Sequence, residues 1–261
     1  MSMKPSPLEP PPPIGADETL DDFAGGTIRI IQKKRGYRFS VDAPLLARFI
    51  SLRDPSRILD LGTGCGVLPL LLARRFPLSC FCAIEISPEL TDLARRNILI
   101  NNAADRIFLL RGDIRRLSHF LRPGTFDAVI ANPPYRPLST GRINPDPQKA
   151  MARHEIGLTL TDLLKAAAHA LKVRGRWFVI YPAWRQVSLL TLCRQYRLEP
   201  KRLQPVHSFP EKEAEWVLLE AVYEGKEELH CLPPFVLYPD GEHYHPAFLD
   251  WLKGEGERNR P

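Results

Sequence analysis

The chain has 261 residues, of which 44% are hydrophobic and 25% charged. That balance suits one substantial α/β domain with short appendages and leaves too little chain for two large ones. No uninterrupted apolar run is long enough to cross a bilayer as a helix, and no membrane partner is expected. The opening segment, MSMKPSPLEPPPPIGADETLDD, carries acids and lacks the apolar core of a secretory signal, so a cytoplasmic location is expected. The five cysteines, Cys65, Cys80, Cys82, Cys193 and Cys231, form no CxxC pair and no Cys/His zinc spacing. They read as reduced thiols, with no metal site expected. A net charge of +6 and an isoelectric point near 9.1 allow a polyanionic partner without requiring one, since clustered Lys and Arg bind phosphates and release counterions.

In chain order, residues 1–22 are rich in Pro and acids, lack periodicity and are expected to be a disordered tail. A short strand over Thr27 to Gln32 leads through Arg35-Gly36-Tyr37 to a helix from about Ala43 to Ile50, with Asp42 as its cap and Pro44 in its first turn. Strand-like runs then alternate with amphipathic helices. The strands are Arg57 to Leu61, Phe81 to Ile86, Ile107 to Leu110, Phe126 to Ala131 and Arg176 to Tyr181. The helices are Val67 to Arg75, Pro88 to Ile100 with Ser87 as its cap, and Leu158 to Leu171, stopped by Gly175. Such alternation implies a mostly parallel sheet covered on both faces.

The end differs. Leu198 to Val206 and Trp216 to Tyr223 read as an antiparallel pair, and residues 225–261 as an irregular extension with a short helix near Phe248 to Leu252. The expected fold is therefore an α/β, Rossmann-like, seven-stranded sheet over residues 23–224. A C-terminal antiparallel hairpin closes it, in the arrangement of class I methyltransferases, although a nicotinamide-binding fold shares the first half.

Leu59-Asp60-Leu61-Gly62-Thr63-Gly64-Cys65-Gly66 falls where the first core strand passes into a helix. Glycines there let the backbone turn tightly against a ligand, but G-x-G-x-G alone also suits dinucleotide binding or a plain turn. Three acids narrow the reading. Glu85 ends the second core strand and can accept from ribose hydroxyls. Asp113, after the third, can accept from an adenine amino group. Asp60 can orient an amino-acid moiety. Each alone reads more often as a cap or a solvated strand end. Together they lie at the carboxyl ends of successive strands, where open α/β sheets bind ligands. A nucleoside cofactor with an amino-acid arm, S-adenosylmethionine, fits that set.

Phe126-Asp127-Ala128-Val129-Ile130-Ala131-Asn132-Pro133-Pro134-Tyr135 brings an amide, two prolines and an aromatic ring to the same edge. An exocyclic amine on adenine, or a glutamine amide, is a poor nucleophile because its lone pair is delocalised. The Asn132 side-chain oxygen and the Pro133 carbonyl can each accept one amine hydrogen, turning the lone pair toward a methyl donor. Pro133 and Pro134 hold that carbonyl without further ordering. Tyr135 can stack on a planar base held out of its helix.

With the DLGTGCG loop, Glu85, Asp113 and the NPPY turn on the page, the chain resembles class I methyltransferases acting on exocyclic nitrogens. Gly36-Tyr37-Arg38-Phe39-Ser40-Val41-Asp42-Ala43-Pro44-Leu45-Leu46-Ala47 and Ala152-Arg153-His154-Glu155 resemble more specifically the tRNA1(Val) (adenine-37-N6)-methyltransferase family, over roughly residues 27–224. The resemblance implies that Gly62, Gly64, Gly66, Glu85 and Asp113 bind S-adenosylmethionine. By the same likeness Asn132, Pro133, Pro134 and Tyr135 bind the target amine, Asn132 also bordering the cofactor, and the substrate is RNA, expected to be tRNA. Arg38 and Asp42 are expected near the mouth of the site. Arg136, Arg153 and His154 lie in a long following segment expected to touch substrate, although a loop-anchoring role for His154 stands beside that. The proline-rich start departs from the family pattern.

The same turn serves a release-factor glutamine N5-methyltransferase, which would carry a helical domain before its core, and rRNA or DNA adenine methyltransferases. A catalytically inactive RNA-binding relative would not need the intact glycine loop and Asn132. A hydride-transfer enzyme would carry a Tyr-x-x-x-Lys or similar set, which does not appear. Glu242-His243-Tyr244-His245 reads as incidental rather than as a metal site.

Overall fold

A computed structural model describes residues 12–35, 38, 40–133 and 158–254. Its central sheet is built around β3 (Arg57–Leu61), β4 (Cys80–Glu85), β5 (Ile107–Arg111), β6 (Phe126–Ala131) and β7 (Leu171–Pro182), all parallel. It continues through β9 (Ala214–Tyr223), which pairs antiparallel with both β7 and β8 (Leu198–His207). Two short strands, β10 (His230–Cys231) and β11 (Phe235–Val236), pair with the outer edge of β8. Among the described residues the sheet thus has nine strands, in the order β10-β8-β9-β7-β6-β3-β4-β5 with β11 also on β8. The seven expected strands are its long members, and the extension adds the other two.

The helices follow from the apolar pattern. α1 (Asp42–Phe49), α2 (Val67–Arg75) and α3 (Pro88–Ile100) cover one face. α4 (Leu160–Ala170) and α5 (Gln186–Gln195) cover the other. The alternation within each strand decides which face a residue serves. Ile58, Ala128, Ile130, Phe178 and Ile180 join the core on the α1–α3 side. Leu59, Leu61, Val129, Ala131, Trp177 and Val179 join the core on the α4–α5 side. Burying a large side chain of this kind is worth about 1.5–3 kcal/mol, so both faces hold the sheet in place. Ser87 caps α3 by accepting from Leu90 N at 3.3 Å. Thr159 and Asp162 form a reciprocal capping box on α4.

Three expectations need correction. The tail does not run to residue 22, because β1 (Glu18–Phe23) pairs antiparallel with β2 (Ile28–Lys33). Its acidic sequence is compatible with order because Glu18 is buried against Arg96 of α3, with two hydrogen bonds of 2.7 Å. The guanidinium holds the Glu18 carboxyl down to about 2. Second, Asp42 is the first residue of α1 rather than its cap, and its carboxylate accepts from Ser40 Oγ at 2.5 Å and Ala43 N at 3.0 Å.

Third, Gly175 ends no helix. It lies inside β7, where the register shifts so that Phe126 faces Leu171 but Ala128 faces Arg176. A Cβ there would meet Lys172 O at 2.7 Å, so this close approach is what requires glycine.

The C-terminal extension is packed rather than merely irregular: Phe235, Leu237 and Phe248 are buried, the last on α6 (Pro246–Lys253). His245 caps α6 by accepting from Ala247 N, and His243 pairs with Asp240, so both histidines have structural partners. No helix among the described residues is long and apolar enough to cross a membrane.

Candidate active site

The chain leaves β3, builds outward through β4 and β5, and then returns to the other side of β3 as β6. The crevice outside the carboxyl ends of β3 and β6 is therefore the point at which strand order reverses, where open α/β sheets bind ligands. The register decides what meets there. Leu61 pairs with Ala131, so Gly62 and Asn132, the next residues, leave the sheet side by side. The glycine loop and the amide turn are brought to one place by a single strand pairing across 70 residues of sequence.

The loop is held by backbone bonds to the end of β4: Gly62 N and Thr63 N both donate to Ile84 O, at 2.9 and 3.0 Å. Gly62, Gly64 and Gly66 have φ of 75°, 59° and 83°, a region that costs a side-chain-bearing residue about 1–2 kcal/mol. At Gly62 a Cβ would meet nothing within 4 Å, so the loop has open space beside it.

Glu85 is buried, with 2% of its surface exposed. Its Oε2 accepts from Gly64 N, and its Oε1 accepts from Ile86 N and Ser87 N, each at 2.9 Å. Burial pushes its pKa up, against those amide bonds. A carboxylate offers about four acceptor positions. Three amides leave room for roughly one more donor, rather than the pair of hydroxyls expected from the sequence. Asp113 accepts from Arg115 N at 2.9 Å and from its guanidinium at 2.6 to 3.0 Å. That guanidinium holds Asp113 below the usual carboxylate range.

Asp60 and Thr63 differ from these. Both are buried, and the Thr63 hydroxyl lies close enough to Asp60 to favour its anion, but Asp60 Oδ2 and Thr63 Oγ1 make no well-directed hydrogen bond. Burial pushes the Asp60 carboxyl up to about 7, with the Thr63 hydroxyl opposing the rise and the Glu85 charge adding to it. A buried polar atom without a partner costs about 1–3 kcal/mol, so both atoms sit where a ligand donor would relieve a penalty. An unsatisfied acid, an unsatisfied hydroxyl, a second buried acid and open space over Gly62 fit a nucleoside bearing an amino-acid arm, as S-adenosylmethionine does.

Asn132 is half-buried and Pro133 buried at the end of β6. The predicted partners Pro134, Tyr135, Arg136, Arg153 and His154 lie outside the described residues, as do Gly36, Tyr37 and Phe39 of the lead-in. Arg38 ties β1 to β2, donating to Asp21 Oδ2 at 2.8 Å, Lys33 O at 3.0 Å and Thr19 Oγ1 at 3.3 Å. Lys33 pairs with Asp17, Glu18 and Glu89. Much of the basic cluster before the core is thus engaged in holding the hairpin.

Two residues escape a motif-based reading. Thr63 could have been found as the hydroxyl inside the loop. Asn97 is wholly buried on α3; its Nδ2 donates to Cys65 O at 2.9 Å and Ile31 O at 3.0 Å, and its Oδ1 accepts from Ile31 N at 2.6 Å. It bridges the glycine loop to β2. Its signal was a polar residue on the apolar face shared with Leu93, Ala94 and Ile98.

A family profile described as a methyltransferase domain matches residues 58–144. The tRNA1(Val) (adenine(37)-N6)-methyltransferase of Porphyromonas gingivalis is 34% identical over 201 residues, covering 75% of this chain and 77% of that one. The protein of the same name from Tolumonas auensis is 32% identical, covering 69% and 77%. Among solved structures, a predicted O-methyltransferase from Agrobacterium tumefaciens superposes with a TM-score of 0.67 at 24% identity, covering 82% of this chain and 96% of that one. Geranyl diphosphate C-methyltransferase from Streptomyces coelicolor superposes with a TM-score of 0.51 at 15% identity, covering 69% and 79%, and shares the fold. On this fold, this switch-point site and these relatives, the chain belongs to the tRNA1(Val) (adenine(37)-N6)-methyltransferase family of S-adenosylmethionine-dependent enzymes.

Proposed function

We propose that this protein transfers a methyl group to the N6 nitrogen of an adenine in tRNA, working in the cytoplasm. The observation that carries the reading is the pairing of Leu61 with Ala131, which sets the glycine loop beside Asn132 and Pro133. The relatives' shared name supplies the substrate class. The five cysteines are free thiols, as suits a reducing compartment.

S-adenosylmethionine, when bound, supplies an electrophilic methyl group on a sulfonium sulfur. Asp60 and Thr63 would hold its amino-acid arm, Glu85 a ribose hydroxyl, and Asp113 the adenine amino group. Asn132 Oδ1 and the Pro133 carbonyl accept the two hydrogens of the target amine, and Tyr135 stacks on the base. With both hydrogens held, the nitrogen lone pair points at the methyl carbon. The target nitrogen would gain its N–C bond at the expense of the cofactor's C–S bond and take on the positive charge that the sulfur gives up. One amine hydrogen is then lost as a proton. Neither an amide oxygen nor a backbone carbonyl is basic enough to keep it, so water takes it. Catalysis here is positioning and electrostatics.

The test is methyl transfer from labelled S-adenosylmethionine to unmodified tRNA, with nucleosides identified by mass spectrometry and a release factor assayed in parallel. N6-methyladenosine in tRNA is the expected product. In Asn132→Ala, transfer falls by at least 100-fold while cofactor affinity stays within severalfold. Near-normal turnover in that variant would overturn the mechanism, and a labelled release factor with silent tRNA would overturn the substrate.

A further inference from the structure

β7 lies next to β6 on the side away from β3, with Val179 level with Ala131. Its carboxyl end therefore opens beside the turn that carries Asn132. The chain there reads Tyr181-Pro182-Ala183-Trp184-Arg185-Gln186-Val187. Trp184 is 72% exposed and Val187 74% exposed, while the other apolar side chains of this end are packed inward. An indole this exposed is unusual unless something covers it in use. The Arg185 guanidinium stands 5.6 Å from the Trp184 ring and 5.4 Å from the Tyr181 ring, so a cation accompanies the exposed ring. An aromatic face with an adjoining cation matches one flanking nucleotide, base on the ring and phosphate on the guanidinium. Trp184 lies in the short 3-10 turn Ala183–Arg185 directly after β7, so it leaves the sheet from the strand beside the one that delivers Asn132.

Resting on the reading that tRNA is the substrate, we infer that Trp184 and Arg185 form a stacking platform for an RNA nucleotide flanking the methylated adenine. The platform grips the RNA strand outside the pocket, so its loss weakens RNA binding and leaves cofactor binding alone.

The experiment uses the full chain saturated with S-adenosylhomocysteine and an unmodified tRNA transcript. Indole emission is followed during tRNA titration in the wild type and in Trp184→Phe, and tRNA affinity is measured in both and in Trp184→Ala. The expected result is quenching in the wild type that disappears in Trp184→Phe. Losing a stacked base should weaken tRNA binding of Trp184→Ala roughly 5- to 150-fold, with Trp184→Phe falling between it and the wild type. Calorimetric affinity for S-adenosylhomocysteine, unchanged in both variants, shows that the fold is intact. Quenching that persists in Trp184→Phe, absence of quenching in a wild type that binds tRNA, or wild-type tRNA affinity in Trp184→Ala would each overturn the inference. A weakened Trp184→Ala that has also lost cofactor affinity would count against it, because the defect would then be one of folding. A wild type that neither binds nor methylates tRNA would bring down the substrate reading as well, which separates the two failures.

Discussion

Replacing Asp60 by Asn tests how the cofactor pocket is charged. In water an aspartate ionises near 4; in this protein burial pushes Asp60 up to about 7. At 1.36 kcal/mol for each tenfold change in acidity, ionised Asp60 costs the folded, ligand-free protein about 4 kcal/mol. The sign follows from linkage. The folded pKa is raised, so the folded state holds the proton more tightly than the unfolded chain does. The contribution to stability is fully present below about pH 4 and is lost as the pH rises from there through about 7. A cationic amino group placed against Asp60 Oδ2 reverses this preference, because it favours the anion.

Cofactor affinity in the wild type should therefore rise by up to tenfold per pH unit from about 5.5 and level off above about 7. In Asp60→Asn both the affinity profile and the pH slope of unfolding flatten, while Glu85 remains in both proteins. Calorimetric titration from pH 5.5 to 8.5, in buffers of different ionisation enthalpy, reads the affinity and the proton released on binding. Parallel affinity profiles in wild type and variant, or no proton release near pH 6, would refute the reasoning.

Removing one partner of the buried Glu18–Arg96 pair should be severe, since it strands a charge. Arg96→Ala is expected to lose about 3–5 kcal/mol in urea unfolding, and a loss under 1 kcal/mol would show that the hairpin is not anchored there. Gly66→Ala places a side chain at a φ of 83°. It should cost about 1–2 kcal/mol by thermal unfolding; its added Cβ comes no nearer than 3.4 Å to Ala94, so strain rather than collision sets the figure. Asn97→Ala removes the bonds between the glycine loop and β2. It should weaken cofactor binding together with stability, and unchanged cofactor affinity would show that the loop holds its shape unaided.

Periodicity was most informative where each element buries its own stripe. Arg57–Leu61, Val67–Arg75, Pro88–Ile100 and Phe126–Ala131 fall at the expected bounds because local apolar spacing and tertiary packing agree in them. It failed where a partner is remote. Glu-Thr-Leu-Asp-Asp-Phe looks solvated, and it is chiefly Arg96, 78 residues away, that makes Glu18 fit to bury. It also missed α5, whose buried residues are only Leu189 and Cys193, too few to mark a stripe. The acids of the site were legible as strand-end residues. Their occupancy was not, since the three amides on Glu85 and the guanidinium on Asp113 are consequences of turns that form only when the strands are in place.

That difference in occupancy divides the acids by task. Glu85 and Asp113 already accept most of their hydrogen bonds from the protein, so on the proposed reading each would add direction to cofactor binding at little cost when no ligand is there. Asp60 Oδ2 and Thr63 Oγ1 are buried with no well-directed hydrogen bond between or beyond them, so a donor placed there would relieve a penalty. On that reading, a bound cofactor would draw affinity from Asp60 and Thr63 and direction from Glu85 and Asp113. Asn97 supports both, since one side chain fixes Cys65 of the loop and Ile31 of the hairpin. The N-terminal hairpin is thereby tied to the glycine loop through one buried side chain.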